Sequence, residues 1–475
     1  MKKISLIYFV LFLFFLICNA KNTNRWLGFL LKKSNENYIK ISFNTTKTEH
    51  GIEIRKANKN ASLKTGLSQI ITPYNLMALN SVIILPYELG RESICDSSLN
   101  INHQAKFHKY DSIPKSRILD NIGNIINNYT PITILNACSN NITVEDAASF
   151  NTGDTVLIIQ MKGAALDLSN TVTSGTITDY KNAGNYEFNY VKNKSGNVIE
   201  LLDSLTRNYD VPQGKVQLVR VPNYKSANIS TTLTCLPWDG NKGGVLVLNA
   251  TDSVNLQADI DVSSKGFSGG NSPNTGSTTL MCFKNDYNYP KGSVIAAAKG
   301  EGIGLVSDDI AWGKGSPANA GGGGIGHNSG GGGGGNGGIG GMGGYQLEAC
   351  GNAPFDNRGL GSKALNYNND QNKVFMGGGG GSGHTDNAGG SDMNGGNGAG
   401  IIIINTKFIK SNGHNIVAKG GDAPQCSNAI YNCHDGSGGG GGGGSVLINS
   451  FNYVDAAKLN CSGGKGGNLV IFNTT

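Results

Sequence analysis

The sequence has few of the short motifs by which enzymes and metal proteins are usually identified. No two cysteines are spaced as CxxC, and no Gly-Lys pair is followed by Ser or Thr, which argues against a zinc site of that type and against a phosphate-binding P-loop. Lysine and arginine are scattered and not gathered in a stripe, and the formal charge is only +6 for 475 residues. We therefore expect no nucleic-acid partner.

Candidate catalytic groups are also poorly placed. Residues 266–270 match the GxSxG pattern of serine hydrolases, but a loop sequence follows where that site needs a helix. Asp308 and Asp309 are adjacent, so on a strand they would point to opposite faces and would be a poor acid/base pair unless they lie in a loop. We predict no catalytic residues, and the protein is more consistent with a non-enzyme.

Glycine, in contrast, is abundant. The chain has 71 glycines, and residues 321–344 contain 17 of them in 24 positions. Glycine loses more backbone entropy on ordering than any other residue and has no side chain to bury. Such tracts are therefore either flexible tethers or extended helices of the polyproline II type, which pack closely because side chains are missing. Further tracts are at residues 377–383, 395–400 and 438–444.

The residues that interrupt and follow the tracts favour the ordered alternative. Ile325, Ile339 and Met342 stand alone among glycines, and isolated apolar side chains at such intervals are expected to pack against something. The second and third tracts run directly into the apolar stretches 401–404 and 446–448, which resemble buried strands. A flexible tether would not lead so directly into buried strands.

The N-terminus is typical of an exported protein. Residues 1–20 combine two lysines, an apolar stretch and a small residue at the end, as in a secretory signal peptide. An uncleaved membrane anchor is the alternative, but the apolar stretch is short for a span of about 20 residues. We predict a mature chain that begins near Lys21, has no membrane span and is secreted or held at the cell surface.

Eight cysteines remain after removal of the signal peptide, an even number that favours disulfides in an exported chain. Turn-forming residues flank Cys426 and Cys433, which makes this pair the best disulfide candidate, although the full connectivity does not follow from the sequence. The eight are Cys95, Cys138, Cys235, Cys282, Cys350, Cys426, Cys433 and Cys461.

Composition divides the mature chain into three zones. Residues 21–130 are polar and of unknown fold, although isoleucines at helical spacing in residues 116–127 indicate a short helix. Residues 131–237 contain short apolar strands separated by Asn, Gly and Asp turns, which predicts a small all-β barrel or sandwich. Residues 238–475 form the glycine-rich zone.

Three segments of the glycine-rich zone share one design: glycine, apolar strand, polar turn, second apolar strand, glycine. They begin at Gly243, Gly398 and Gly443. Units of this kind cannot bury their own apolar faces, so we expect them to stack as a short β-solenoid, with a Greek-key sandwich as the alternative. The predicted fold class is all-β: a small barrel or sandwich, then a sandwich or short solenoid with polyglycine II-like insertions.

Three residues in the tracts are candidates for ligand binding. His327, Asn328 and His384 carry large polar side chains where nearly all neighbours are glycine. They either contact a ligand, or they satisfy backbone groups that the glycine helices leave unpaired. We expect no bound metal, although calcium is possible because four aspartates lie near the tracts. These are Asp386, Asp392, Asp422 and Asp435.

Several of these segments together resemble glycine-rich secreted surface proteins of Bacteroidetes. They are residues 142–163, residues 243–270, HNSGGGGGG from His327, GGGGGSGH ending at His384 and DGSGGGGGGGSVLIN from Asp435. The resemblance implies export in a multi-domain surface protein. Such proteins often end in a sorting domain, whereas this chain ends at Thr475 without a recognisable one. The tracts are also similar to the polyglycine II bundles of some antifreeze proteins and receptor ectodomains.

The expected function is that of an exported structural or adhesive protein that presents a flat glycine-rich surface to an extracellular surface or glycan. The alternative is a carbohydrate-active enzyme or a glycan-binding module on a β scaffold, with sugars stacked on aromatic rings. The aromatic candidates are Trp238, Trp312, Tyr345 and Phe375.

Overall fold

The computed structural model contains two compact units, Met1–Tyr87 and Glu88–Thr475. It describes strand backbones at 25–32, 38–48 and 51–56, and then residues 120–135, 140–271, 282, 285–346, 356–366, 373–385, 393–425 and 435–468. The first unit contains an antiparallel sheet of β1 (Arg25–Lys32), β2 (Tyr38–Thr48) and β3 (Gly51–Lys56), in that order. The predicted signal peptide and the disulfide candidates Cys426 and Cys433 lie outside the described residues.

The second unit begins with a closed six-stranded antiparallel barrel, as the turn-separated strands predicted. Its strand order is β10-β11-β6-β5-β12-β7. Strand β7 is buried along its whole length because one face lies in the barrel and the other packs against the sheet described next. The strands are β5 (Asn128–Leu135), β6 (Asn141–Val144), β7 (Thr155–Gln160), β10 (Tyr186–Ser195), β11 (Val198–Leu201) and β12 (Val216–Val221), with a small two-stranded sheet of β8 (Ala165–Leu166) and β9 (Ile177–Asp179) beside them.

A parallel eight-stranded sheet follows the barrel. It has the order β18-β16-β14-β13-β15-β17-β19, and β4 pairs with β13. The three repeated units stack in register, for example Leu246 on Ile402 on Val446. This parallel stacking is that of a short solenoid, and the Greek-key alternative is wrong. The strands are β4 (Asp120–Ile125), β13 (Asn223–Thr234), β14 (Val245–Leu256), β15 (Ile260–Asp261), β16 (Ile401–Lys410), β17 (Asn415–Val417), β18 (Ser445–Tyr453) and β19 (Lys458–Asn460).

Both faces of this sheet are buried, which explains the unbroken apolar runs in its strands. Leu246 and Ile402 belong to one hydrophobic core, whereas Val245 and Ile401 belong to a second core that also contains residues of β7 and β12. A central parallel strand with two covered faces needs apolar residues at every position. The fold class is therefore all-β, as predicted.

Stacked asparagines continue the register beyond the apolar part of each strand. Asn249 Nδ2 donates to Asn223 Oδ1 (3.1 Å), Asn405 Nδ2 donates to Asn249 Oδ1 (2.8 Å), and Asn449 Nδ2 donates to Asn405 Oδ1 (2.7 Å). Each amide satisfies the next, so a polar side chain can stand at the same position in four parallel strands without leaving its donor or acceptor unpaired.

The helix expected at residues 116–127 is wrong. Residues 120–125 form strand β4, which pairs in parallel with β13. Isoleucines at helical spacing do not decide the conformation here, because the open edge of β13 offers backbone hydrogen bonds to an added strand. The described part of the second unit contains a single turn of 3₁₀ helix, Asp308–Ile310. Among the described residues, no helix has the length and apolar composition of a membrane span.

Candidate functional site: a bundle of glycine-rich segments

The glycine tracts are ordered around one central segment, residues 374–385. Gly378, Gly381 and His384 donate their backbone N–H groups to one neighbouring segment, residues 329–336. In two further rows, the N–H groups again belong to every third residue, and each row donates to one other segment. Three residues per turn is the period of the polyproline II helix, so each row of the helix faces one neighbour. These rows join Gly377, Gly380 and Gly383 to residues 399, 396 and 393, and Gly379 and Ser382 to residues 301 and 298.

Six segments surround the central one, three reached by its N–H groups and three by its carbonyl groups. Each member of this ring is hydrogen-bonded to the next; for example, Gly334 N donates to Gly440 O, and Gly396 N donates to Gly439 O. The packing is hexagonal. In order around the ring lie residues 393–400, 435–444, 329–336, 311–326, 295–304 and 263–271. We call each such extended stretch a threefold segment.

Four more threefold segments pack outside the ring, which makes eleven in the described part of the chain. Each outer segment hydrogen-bonds to two neighbours that also bond to each other. They are residues 357–365 on 311–326 and 329–336, residues 337–345 on 329–336 and 357–365, residues 418–425 on 393–400 and 435–444, and residues 461–467 on 418–425 and 435–444. The tracts are therefore ordered, and the flexible-tether alternative does not hold for these residues.

Glycine is required at those positions of the bundle where two backbones are too close for a side chain. A Cβ atom added to Gly379 would lie 1.9 Å from the carbonyl oxygen of Ser268, and one added to Gly380 would lie 2.1 Å from that of Gly439. Both obstacles are backbone atoms, which cannot rotate away. At Gly337 and Gly341 of the outer segment 337–345, an added Cβ would meet no atom within 4 Å. The composition thus follows from the packing.

The parallel sheet positions the bundle. Residues 393–400 lead directly into β16, and residues 435–444 lead into β18. Because β16 and β18 are paired in register, the threefold segments that precede them lie side by side where they join the strands. Their own hydrogen bonds, such as Ala399 N to Gly442 O at 3.0 Å, then continue the pairing of the strands.

The outer segment 337–345 carries the most exposed apolar side chains of the bundle. Ile339 is 77% exposed, Met342 46% and Tyr345 70%. These residues are three apart, so they lie in one row along a threefold helix. We call this row the apolar stripe. The expectation that the isolated apolar residues pack is confirmed for Ile325, which is buried against Tyr289 and Trp312, and is wrong for Ile339 and Met342.

The predicted ligand-binding residues come together, but they are buried. His327 and His384 have ring centroids 6.4 Å apart, and Asn328 lies beside them. Asn328 N–H donates to His384 Nδ1 (3.3 Å), and His384 Nε2 lies 3.1 Å from the carbonyl oxygen of Val294. An imidazole that accepts at Nδ1 and donates at Nε2 is neutral. His384 therefore satisfies backbone groups, the structural alternative, and ligand binding by the three residues stays a prediction.

Most of the other candidate residues are also parts of the packing. Of the four aromatic candidates, Trp238, Trp312 and Phe375 are buried, and only Tyr345 is exposed. The Arg358 guanidinium carbon lies 4.0 Å from the centroid of the Tyr345 ring, a cation–π contact at the surface.

Two acidic side chains of the bundle, one of them the calcium candidate Asp422, are held by cations of the protein. Glu301 accepts from Lys162 Nζ (2.9 Å) and from the Trp238 indole N–H (3.0 Å), so it joins the barrel to the bundle. Asp422 accepts from Lys419 Nζ (2.8 Å) and from the backbone N–H of Lys465 (2.8 Å), which holds the pKa of that carboxyl below its ordinary value.

Among the described residues, potential metal ligands are dispersed and the cysteines differ in their bonding. There, no group of three or more His, Cys, Asp and Glu side chains could hold a metal ion. Asp386 and Asp392 lie outside this part of the chain, and calcium stays a prediction. Cys282 is disulfide-bonded, whereas Cys235 and Cys461 are free thiols, so the expectation of disulfides does not extend to every cysteine. Burial raises the pKa of the Cys235 thiol to about 12.

Sequence reasoning missed the apolar stripe, although its residues are visible in the sequence. Ile339, Met342 and Tyr345 repeat every third position, and a period of three signals one row of a threefold helix. That signal becomes readable only when the tract is known to be helical and the segment is known to lie on the outside.

Comparisons with known proteins give no family for this chain. No family model matches it, and no curated protein matches it. One solved structure is similar over a short part: the tailspike of the Acinetobacter baumannii bacteriophage AP22, determined in complex with A. baumannii capsular saccharide. The identity is 15%, the match covers 30% of this chain and 25% of the tailspike, and the TM-score is 0.15. A similarity at this level carries no information on fold or function, and the resemblance to Bacteroidetes surface proteins stays a prediction.

Proposed function

We propose that the protein is an exported, non-enzymatic structural or adhesive protein, and that the apolar stripe of its glycine-rich bundle contacts a partner surface outside the cell. The observation that carries this proposal is the exposure of Ile339, Met342 and Tyr345 in one row of an otherwise side-chain-free outer segment. An outer face without other side chains lets a flat partner approach the backbone closely.

The apolar area of the stripe is suited to weak binding by each molecule, repeated over many molecules on one surface. Full burial of an exposed Ile or Met side chain contributes roughly 1.5–3 kcal/mol. Ile339, Met342 and Tyr345 are 77%, 46% and 70% exposed, so the stripe supplies on the order of 3–6 kcal/mol. Association costs about 4–15 kcal/mol in lost freedom of motion, so a single molecule binds weakly. Many molecules anchored on one surface bind firmly through multivalency. This is the behaviour of an adhesive or of a structural coat.

Adsorption of purified chain to solid surfaces tests the proposal. The mature chain, residues 21–475, is mixed with chitin, cellulose, peptidoglycan and polystyrene, and the bound fraction is measured. We expect the triple variant I339S/M342S/Y345S to lose at least tenfold in binding to the surface that retains the wild type. A matched control, L168S/V172S/V294S, removes three exposed apolar side chains elsewhere and should bind normally. Equal binding by the stripe variant, or equal loss in both variants, contradicts the proposal.

Glycan binding is the second candidate, and the Tyr345–Arg358 pair is the observation that favours it. An exposed aromatic ring with a guanidinium on one face leaves its other face for a sugar ring. A panel of soluble polysaccharides separates the candidates. Binding that is lost in Tyr345→Ala but kept in Ile339→Ser would indicate a glycan-binding module. Cleavage of any polysaccharide would instead show an enzyme and overturn the non-enzymatic assignment.

A further inference from the structure

One position in the hexagonal lattice has walls but no occupant in the described part of the chain. Residues 329–336 and 435–444 are neighbours, joined by Gly331 N to Ser437 O (2.8 Å) and by Gly334 N to Gly440 O (2.9 Å). The central segment lies against this pair on one side. On the other side, residues 337–345 flank the first segment and residues 461–467 flank the second. A groove one segment wide remains between these two walls, and we call it the lattice groove.

Backbone groups on the floor of the lattice groove lack partners at intervals of three residues. The N–H groups of Ser437, Gly440 and Gly443 have no hydrogen bond to any described residue, and neither have the carbonyl groups of Gly331 and Gly334. Ser437 Oγ, which is buried, is a further polar atom without a partner in the described part of the chain.

The direction of these groups follows from the threefold geometry. In residues 435–444, the row Gly436, Gly439 and Gly442 donates to the central segment, and the row that contains Gly441 and Gly444 donates to residues 418–425. Each row of a threefold helix faces one lattice neighbour. The remaining row, Ser437, Gly440 and Gly443, therefore faces the open position.

We infer that the lattice groove binds a glycine-rich segment of another polypeptide in the same threefold extended conformation. Such a guest accepts hydrogen bonds from the three free N–H groups and donates to the two free carbonyl groups. The mode is the counterpart of strand addition to an open sheet edge, in which backbone groups supply the affinity. Residues 437–443 cover about 19 Å at roughly 3.1 Å per residue, so a guest of about seven residues pairs with this row.

The floor of the lattice groove selects glycine. Elsewhere in the bundle, backbones packed at this spacing leave no room for Cβ; one added to Gly439, for example, would lie 2.1 Å from the carbonyl oxygen of Gly332. A row that faces solvent has room for side chains, as in the apolar stripe. A guest needs glycine at the rows that face the protein. The apolar stripe lies on residues 337–345, which form one wall of the groove, but the two tests use different variants and different ligands, so this inference and the proposed function can fail independently.

A labelled peptide that copies residues 435–446, DGSGGGGGGGSV, tests the inference by fluorescence anisotropy on the mature chain. We expect saturable binding, and no binding of a control peptide in which glycines 438–444 are alanine. Ser437→Pro is the blocking variant because the proline Cδ takes the place of the unpaired amide hydrogen that faces the groove. The φ angle of proline is that of a polyproline II helix, so the segment itself can keep its conformation. This variant should weaken binding at least tenfold. Ser437→Ala keeps the N–H and should bind within about twofold of the wild type.

The remaining outcomes also decide the inference, provided that circular dichroism shows both variants to be folded. Binding of both peptides, or unchanged binding by Ser437→Pro, would overturn it, as would no binding by the wild type. Light scattering without peptide tests a second copy as the guest. A dimer that dissociates on addition of the peptide, and that is absent in Ser437→Pro, would identify the guest as a tract of another copy and support the inference.

Discussion

Replacement of one glycine at the centre of the bundle should destabilise the protein strongly, whereas the same replacement at the outside should not. Gly380 lies in the middle of the central threefold segment. A Cβ atom there would lie 2.1 Å from the carbonyl oxygen of Gly439, where ordinary contact begins at 3.4 Å. The neighbouring segment would have to move by about 1.3 Å. We therefore expect Gly380→Ala to be strongly destabilising.

The magnitude follows from what this movement disrupts. Gly439 N to Gly381 O (2.9 Å) and Gly442 N to Gly378 O (2.7 Å) join the two segments, and each such bond contributes about 1 kcal/mol net. Overpacking alone costs typically 1–3 kcal/mol. The sum is about 3–5 kcal/mol, a large part of the 5–15 kcal/mol by which folded proteins are usually stable.

Gly341→Ala is the matched control. An added Cβ at Gly341 meets nothing within 4 Å, and its φ is not in the left-handed region. The substitution should be neutral or stabilise by about 0.4–1 kcal/mol, because alanine reduces the entropy of the unfolded chain. Urea denaturation of the two variants, followed by tryptophan fluorescence, gives the comparison. Equal stability of both variants would refute the steric account of the glycine content.

Three further results are expected. Burial lowers the pKa of Lys299 from 10.5 to about 7. Between these pH values the unfolded state binds more protons than the folded state, so the free energy of unfolding rises with pH, by at most about 1.4 kcal/mol per pH unit. Lys299→Met should abolish this part of the slope in urea titrations at pH 7 and 9. Asn405→Leu should cost about 1–3 kcal/mol in the same assay, because it removes a member of the asparagine stack that both donates and accepts, while Asn449→Ala at the end of the stack should cost less. Mass spectrometry after iodoacetamide treatment at pH 8 should find Cys461 alkylated long before buried Cys235, and equal labelling would contradict the burial of the second thiol.

The strands were the most predictable part of the fold. Short apolar runs between Asn and Gly turns identified the barrel strands, because side-chain alternation and turn chemistry are local properties. The three repeated units predicted stacking, because none can bury its apolar face alone. The choice between solenoid and sandwich needed the structure, since strand direction depends on where the intervening glycine segments travel.

The packing order of the bundle could not be predicted from the sequence. Glycine has no side chain that could specify which neighbour it packs against, so neither the hexagonal order nor the open lattice position can be read from composition. Residues 116–127 show the opposite failure, because a helical pattern was present but the edge of β13 determined the conformation. The histidines were recognised as unusual, but only the structure shows that His384 bonds to backbone groups.

Residue-resolved amide hydrogen exchange on the intact mature protein tests the central claim, that the glycine tracts form a hydrogen-bonded lattice. The structure predicts slow exchange for bonded amides such as Gly321, Gly322 and Gly324, and faster exchange for Gly440 and Gly443, whose N–H groups have no partner among the described residues. The three-residue alternation between slow Gly439 and Gly442 and fast Gly440 and Gly443 would be specific to threefold packing. Uniformly fast exchange throughout residues 321–344 and 435–444 would contradict the lattice, and with it the exposed stripe and the groove.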